Sequence, residues 1–214
     1  MTRDVKRRPY HSPRRREQAE ATRRQILEAA QRLFERQGYV ATSMAAVAAE
    51  AGVALKTVYV AFESKRGLLL ALRHVLLRAN EEAAPIAERE SLREVVDESD
   101  PQRQLLLDAH SSRIVKERAA PLMAVLRDAA PADPELGALW ERIQVEFYEE
   151  QRSIAESLFE KQALRRGLTV DRATDVLWSL NHPDLYTLLV RDCGWSPEQY
   201  EHWLGDILCS QLLA

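Results

Sequence analysis

Apolar residues recur along most of this chain at steps of three and four, and nowhere do they alternate over a stretch long enough to ask for a strand. Ile26, Leu27, Ala30, Leu33 and Phe34 fall on one helical face. Helix starts are marked by a capping side chain before a proline at Asp100-Pro101, Asp133-Pro134 and Ser196-Pro197, the last with Gln199 placed for a capping box. Thr22 and Gln25 are spaced for a capping box near the first helix, and Gly38 marks its end. Arg165-Arg166-Gly167 reads as the end of a long helix from about Asp133 to Leu164, and His182-Pro183 as a break in a later one. The expected architecture is all-α, with about nine or ten helices.

Composition narrows the class. With 46% apolar and 29% charged residues among 214, the chain can bury a core and is not of the disordered type. Two cysteines, Cys193 and Cys209, cannot staple a secreted scaffold and sit in no zinc or redox spacing, so a cytoplasmic location is expected. No apolar run approaches the roughly 20 residues of a membrane span, and no apolar stretch follows the basic N-terminus as in a signal peptide. The seven glycines are isolated, which excludes a phosphate-binding loop, and no nucleophile elbow or di-iron signature is present. Neither an enzyme nor a cofactor is expected.

Charge is divided unevenly. Residues 1–66 carry 14 Lys and Arg against 7 Asp and Glu, while residues 67–214 carry 16 against 26. A basic first third suggests a polyanionic partner. Residues 1–17 are basic and poor in apolar side chains, and read as a flexible arm.

The most informative stretch runs from Thr42 to Leu72. Thr42 or Ser43 can cap a short helix that turns Met44, Val47, Ala48 and Ala51 inward. Gly52 supplies a tight turn, Val53 re-enters the core, and a second short helix runs from about Ala54 to Ala61 with Val58 and Phe62 buried. This is a helix-turn-helix arrangement, whose second helix fits a major groove. Its exposed side chains would be Leu55, Lys56, Thr57, Tyr59 and Val60. Lys56 and Thr57 suit phosphate or base edges, Tyr59 brings a phenol, and Leu55 or Val60 suits thymine methyls. Ser64 can cap the following helix, leaving Lys65 in a first turn where a cation opposes the helix dipole and a phosphate would favour it.

Residues 26–72, with LFERQGY, the T-S-M opening, AAEAGV, T-V-Y, Phe62 and Ser64-Lys65 in order and without gaps, resemble the N-terminal DNA-binding domain of the TetR family of bacterial transcriptional regulators. The resemblance covers about a quarter of the chain. It implies a homodimeric repressor of a palindromic operator in double-stranded DNA, released by a partly apolar small molecule bound in the C-terminal domain. It implies backbone contacts from Thr42, Lys56, Thr57, Tyr59 and Lys65, with Leu55, Lys56 and Val60 nearest the bases. Ala54 stands where the family usually has a capping Ser or Thr, Ala61 where a His or Tyr is frequent, and Lys56 where Gly is common. An activator of the same fold, or a helical small-molecule-binding protein without DNA binding, remain the other readings.

The domains expected are an arm at 1–17, a helix-turn-helix domain at 18–66, and a helical ligand-binding and dimerisation domain at 67–214. A helix from about Lys65 to Ala84, with Leu68, Leu69, Leu72, Val75 and Leu76 as its apolar stripe, would join them. Candidate ligand residues are Trp140, Gln144, Phe147 and Gln151 on the long helix, His110 and Arg113 on an earlier one, and Trp178 on a later one. Two stripes, Val176, Leu180, Leu185, Leu188 and Leu189, then Tyr200, Trp203, Leu204, Ile207, Leu208 and Leu212, are expected to form a four-helix dimer surface.

Overall fold

Helices form where the periodicity places them. The computed structural model describes residues 13–77 and 90–214. Ten α-helices follow in order among these: α1 (Pro13–Ala41), α2 (Met44–Glu50), α3 (Leu55–Phe62), α4 (Lys65–Leu77), α5 (Glu90–Asp97), α6 (Pro101–Ala129), α7 (Pro134–Glu160), α8 (Val170–Leu180), α9 (Pro183–Tyr186) and α10 (Pro197–Leu212). A 3-10 turn at Ala130–Ala132 leads into α7, and α9 widens into π-helical turns at Thr187–Asp192. No strand forms among the described residues; Leu164 and Leu213 make a single antiparallel bridge.

The side-chain caps form as spaced. Asp100 accepts from the Arg103 amide, Asp133 from those of Glu135 and Leu136, and Ser196 and Gln199 close a capping box. Gly38 takes φ 79°, ψ 168°, which ends the regular part of α1. The His182-Pro183 break falls between α8 and α9, where the His182 side chain caps α9.

Several local expectations are corrected. α1 is already helical at Pro13, inside the segment assigned to an arm, because Pro suits a first helical position and the Arg, Glu, Gln and Ala that follow are good helix formers. Residues 1–12 of that arm lie outside the described residues, as does the expected continuation of α4 from 78 to 84. Thr22 and Gln25 form no capping box in the middle of α1; the Thr22 hydroxyl donates to the Gln18 carbonyl, and Gln25 reaches across to the Ala51 carbonyl at the end of α2.

α7 ends at Glu160, short of Leu164, since Gln162 turns left-handed (φ 55°) and frees Leu164 to pair with Leu213. Arg165 does sit at the negative end of a helix, but that helix is α10, where it donates to the carbonyls of Ser210 and Leu213. Val75 is exposed, outside the α4 stripe; the side chain of Leu76 lies outside the described residues.

Two apolar cores are joined by α6. One gathers α1 to α4 with Ala119, Leu122, Met123, Val125, Leu126 and Ala129 of α6 and Leu136 of α7. The other gathers Val95, Leu105, Ala109, Ile154, Leu158 and Leu177 with Tyr200, Leu204, Leu208 and Leu212 of α10. The inner stripe of α10 therefore closes the subunit, and only Trp203 and Ile207 of that set are half-buried at its edge. Arg66 adds a polar tie, pairing with Asp133 and Glu135 at the start of α7.

α4 meets α3 closely at Gly67, where an added Cβ would stand 2.3 Å from the Phe62 carbonyl oxygen. A helix-interior Gly→Ala change ordinarily gains about 1 kcal/mol. Here backbone blocks it, so Gly67→Ala is expected to cost about 1–3 kcal/mol net in urea unfolding, and a stabilised variant would show that α3 and α4 can separate without loss.

Candidate nucleic-acid interface and buried cavity

The α2–α3 unit is assembled from its own short-range bonds. Ser43 caps α2 by accepting from the Ala46 amide, and Gly52 (φ 65°) reverses the chain while Val53 N donates to the Ala48 carbonyl. The two helices meet at 112°, within the helix-turn-helix range. Val58 and Phe62 anchor α3 in the core. Two α1 side chains tie down the far ends: Gln25 bonds the end of α2, and the Arg23 guanidinium donates to the Ala61 carbonyl while lying 4.2 Å over the Phe62 ring. Sequence reasoning missed Arg23.

One face of α3 is left open. Val60 is 76% exposed, Tyr59 46% and Leu55 42%; Lys56 is exposed and Thr57 half-buried. Ala54 gives α3 no side-chain cap.

Thr42 and Lys65 have internal partners. Thr42 is 1% exposed, its hydroxyl donating to the Gly38 carbonyl and accepting from Gln37. It is corrected from a backbone-contacting side chain to an internal tie that holds the turn after α1. The Lys65 amine donates to the carbonyls of Tyr39 (2.9 Å) and Val40 (3.3 Å) and lies 4.3 Å over the Tyr39 ring. Burial lowers its pKa from the ordinary lysine value. Two of its three N–H groups are thus used, and one remains.

A cavity of about 180 Å³ lies between the two cores. Val115, Ala119, Ala120 and Met123 of α6, Trp140, Ile143, Phe147 and Ile154 of α7, and Val95 of α5 supply its apolar wall. Its polar groups centre on Asn181, at the end of α8. Asn181 Oδ1 accepts from Lys116 Nζ (3.0 Å) and Ser112 (2.8 Å), and Nδ2 donates to Asp108 (2.9 Å) and Gln151 (3.0 Å). All four of its hydrogen-bonding positions are filled. Lys116 also donates to the Tyr200 hydroxyl at 3.0 Å. Burial raises the Asp108 pKa and lowers that of Lys116 to about 7, since neither charge is well solvated.

Comparison with known proteins follows the same division. Residues 26–72 match the family described as bacterial regulatory proteins, tetR family. Over 171 residues the chain is 29% identical to the probable HTH-type transcriptional regulator ArpR of Pseudomonas putida, covering 76% of this chain and 78% of that one. Over 113 residues it is 34% identical to the HTH-type transcriptional regulator TtgR, also of Pseudomonas putida, about half of each chain at 51%.

The helix-turn-helix segment is thus similar to that of tetR-family regulatory proteins. Both curated relatives are HTH-type transcriptional regulators, which supports a DNA-binding regulatory role for this chain. The likeness extends in fold to the crystal structure of NalD, the secondary repressor of the MexAB-OprM multidrug efflux pump in Pseudomonas aeruginosa, with a TM-score of 0.63, 23% identity, and coverage of 92% of this chain and 98% of that one.

Of the candidate ligand residues, Trp140, Gln144, Phe147 and Gln151 line the cavity. His110, Arg113 and Trp178 do not. On α6 the cavity stripe is Asp108, Ser112, Val115 and Ala119, which turns His110 and Arg113 toward α10, where both bind Glu201 at 2.9 Å. Trp178 packs against the rings of Tyr148 and His182 outside the cavity wall. Of the residues missed, Asp108 and Lys116 lay on the apolar face of α6 at i and i+8, a signal the periodicity contained; Arg73 and Asn181 enter from other helices and had none.

A lowered lysine pKa makes stability depend on pH. Between about 7 and the ordinary 10.5, the unfolded chain holds the Lys116 proton more tightly than the folded one. Folded stability from this group therefore rises with pH across that window and is lost as the pH falls through 7. Urea unfolding of wild type and Lys116→Met at pH 7 and pH 9 is expected to show wild type gaining on the variant at the higher pH; a constant gap would mean Lys116 stays protonated throughout.

Proposed function

We propose that the chain is a homodimeric repressor that releases a palindromic operator when a partly apolar small molecule occupies the cavity between its two cores. The observation that carries this reading is the position of α4, which ties Lys65 to the end of α1 just before the helix-turn-helix unit and lends Arg73 to the cavity wall further along. An occupant that alters the α4–α6 packing would shift both recognition helices of a dimer. Half-sites must lie about 34–36 Å apart to be read together, so a small rotation weakens binding. Coupling of about 1–3 kcal/mol is typical of such linkage.

In this reading residues 18–66 form the DNA-binding unit and 67–214 the effector and dimer unit, although α6 gives them a shared core. Leu55, Lys56, Thr57, Tyr59 and Val60 face the groove, and the remaining Lys65 N–H meets a phosphate. The dimer surface is built from α8 and the segment after it, where Leu188 is half exposed and Val176, Leu180, Leu185 and Leu189 are only partly covered. The protein works in the cytoplasm, where its operator is; no single described helix is long and apolar enough to cross a membrane.

Electrophoretic shifts on DNA flanking the chain's own gene test the reading, together with analytical ultracentrifugation. A shifted duplex and a dimer at micromolar concentration are expected; absence of binding to any duplex at low salt sinks the repressor assignment. Lys65→Ala is expected to weaken binding to every duplex and reduce the salt slope by about one unit. An unchanged slope would confine Lys65 to its Tyr39 and Val40 bonds. Val60→Ala should alter the preference at one base pair by about 1–3 kcal/mol, and an unaltered ranking in a selection from random duplexes removes Val60 from base readout.

A further inference from the structure

Most of the charged and amide side chains on the cavity wall have partners inside the chain. Asp108, Ser112, Lys116 and Gln151 are all bonded to Asn181, whose own amide is saturated. Gln144 lies 3.4 Å from His182 Nε2. That ring's Nδ1 accepts from the Asp184 amide, which leaves Nε2 to donate to Gln144. Glu146 and Glu150 already interact with other groups of the chain. Arg73 is different. Its side chain lines the cavity, and its Nε is shielded from solvent and has no hydrogen-bond partner among the described residues.

A buried guanidinium donor without an acceptor is costly, and arginine cannot escape the cost by losing its proton. The group that best satisfies it is a planar or tetrahedral anion, which the guanidinium fork holds through paired N–H bonds. The rest of the wall asks for the opposite chemistry. Trp140 and Phe147 offer aromatic faces, Ile143, Val115 and Met123 offer aliphatic ones, and Ala119 and Ala120 leave the room.

We propose that the cavity takes an aromatic monoanion, its rings among Trp140, Phe147 and Met123 and its charged group on Arg73. This rests on the effector reading above and names the class of molecule the cavity selects. It also assigns the link to DNA. Arg73 stands eight residues beyond Lys65 on α4, about 12 Å along the axis at 1.5 Å per residue. The charge of the occupant is therefore gripped by the helix that carries the DNA-binding unit. A neutral molecule of the same shape fills the cavity without that grip.

Two probes that share a ring system separate these roles: 1-anilinonaphthalene-8-sulfonate, an anion, and N-phenyl-1-naphthylamine, which lacks the sulfonate. Fluorescence titration of the full-length chain is expected to give about tenfold or tighter binding of the sulfonate, the scale of one charge-assisted hydrogen bond. Arg73→Gln should bring the two affinities together while leaving the neutral probe within about twofold, and Arg73→Lys should restore part of the preference. Ala119→Trp, which fills the cavity, should abolish binding of both. Equal affinities in wild type, a preference that survives Arg73→Gln, or a sulfonate signal that survives Ala119→Trp overturns the assignment. If neither probe binds a chain shown to be folded by circular dichroism, the effector cavity itself fails, and not Arg73 alone.

Discussion

α6 is buried twice along its length. Its N-terminal half supplies Leu105 and Ala109 to the core closed by α10, and its C-terminal half supplies Leu122, Met123, Leu126 and Ala129 to the core beneath α1 and α4. Together α1, α2 and α3 are too small to bury an adequate core of their own. They borrow one from α4, α6 and α7. The DNA-binding unit therefore cannot be indifferent to how α6 and α4 pack, which is the physical condition for regulation from a distance. The cavity lies where the two cores adjoin, with Ala119, Ala120 and Met123 of α6 on its wall.

The buried polar groups make the arrangement specific. An apolar cavity alone would collapse or fill with any side chain of suitable volume. Asn181 bridges α8 to Asp108, Ser112 and Lys116 of α6 and to Gln151 of α7, and Lys116 extends the network to Tyr200 of α10. Each bond is available in only one relative placement of four helices, and an unmade one leaves a polar group desolvated without a partner. The break at His182-Pro183 ends α8 at this asparagine, whose side chain is thereby placed at the helix end and turned inward.

Much of the local structure was legible because its causes are local. Capping by Asp100, Asp133 and Ser196, the turn at Gly52, and the buried Val58 and Phe62 each depend on residues within a few positions. The open face of α3 followed from the same periodicity. The failures share a different origin. Thr42 has the chemistry of a phosphate contact but spends its hydroxyl on Gly38; His110 and Arg113 lie beside a promising apolar stripe but turn to Glu201, 88 and more residues away. Arg165 has the chemistry of a cation at the end of α7, yet the helix end it binds is that of α10, which begins more than 30 residues later.

The amino-acid order by itself determined the capped starts of α6, α7 and α10, most of the apolar faces, and that one short helix keeps a face of Leu55, Lys56, Tyr59 and Val60 free of the core. These follow from backbone geometry, capping and side-chain period, which act over one or two turns. Which of two faces a polar residue serves was settled only in three dimensions. Asn181, Lys116 and Arg73 come from three separate helices, and their meeting around one cavity depends on the packing of apolar surface, which has no direction of its own until the helices are in place.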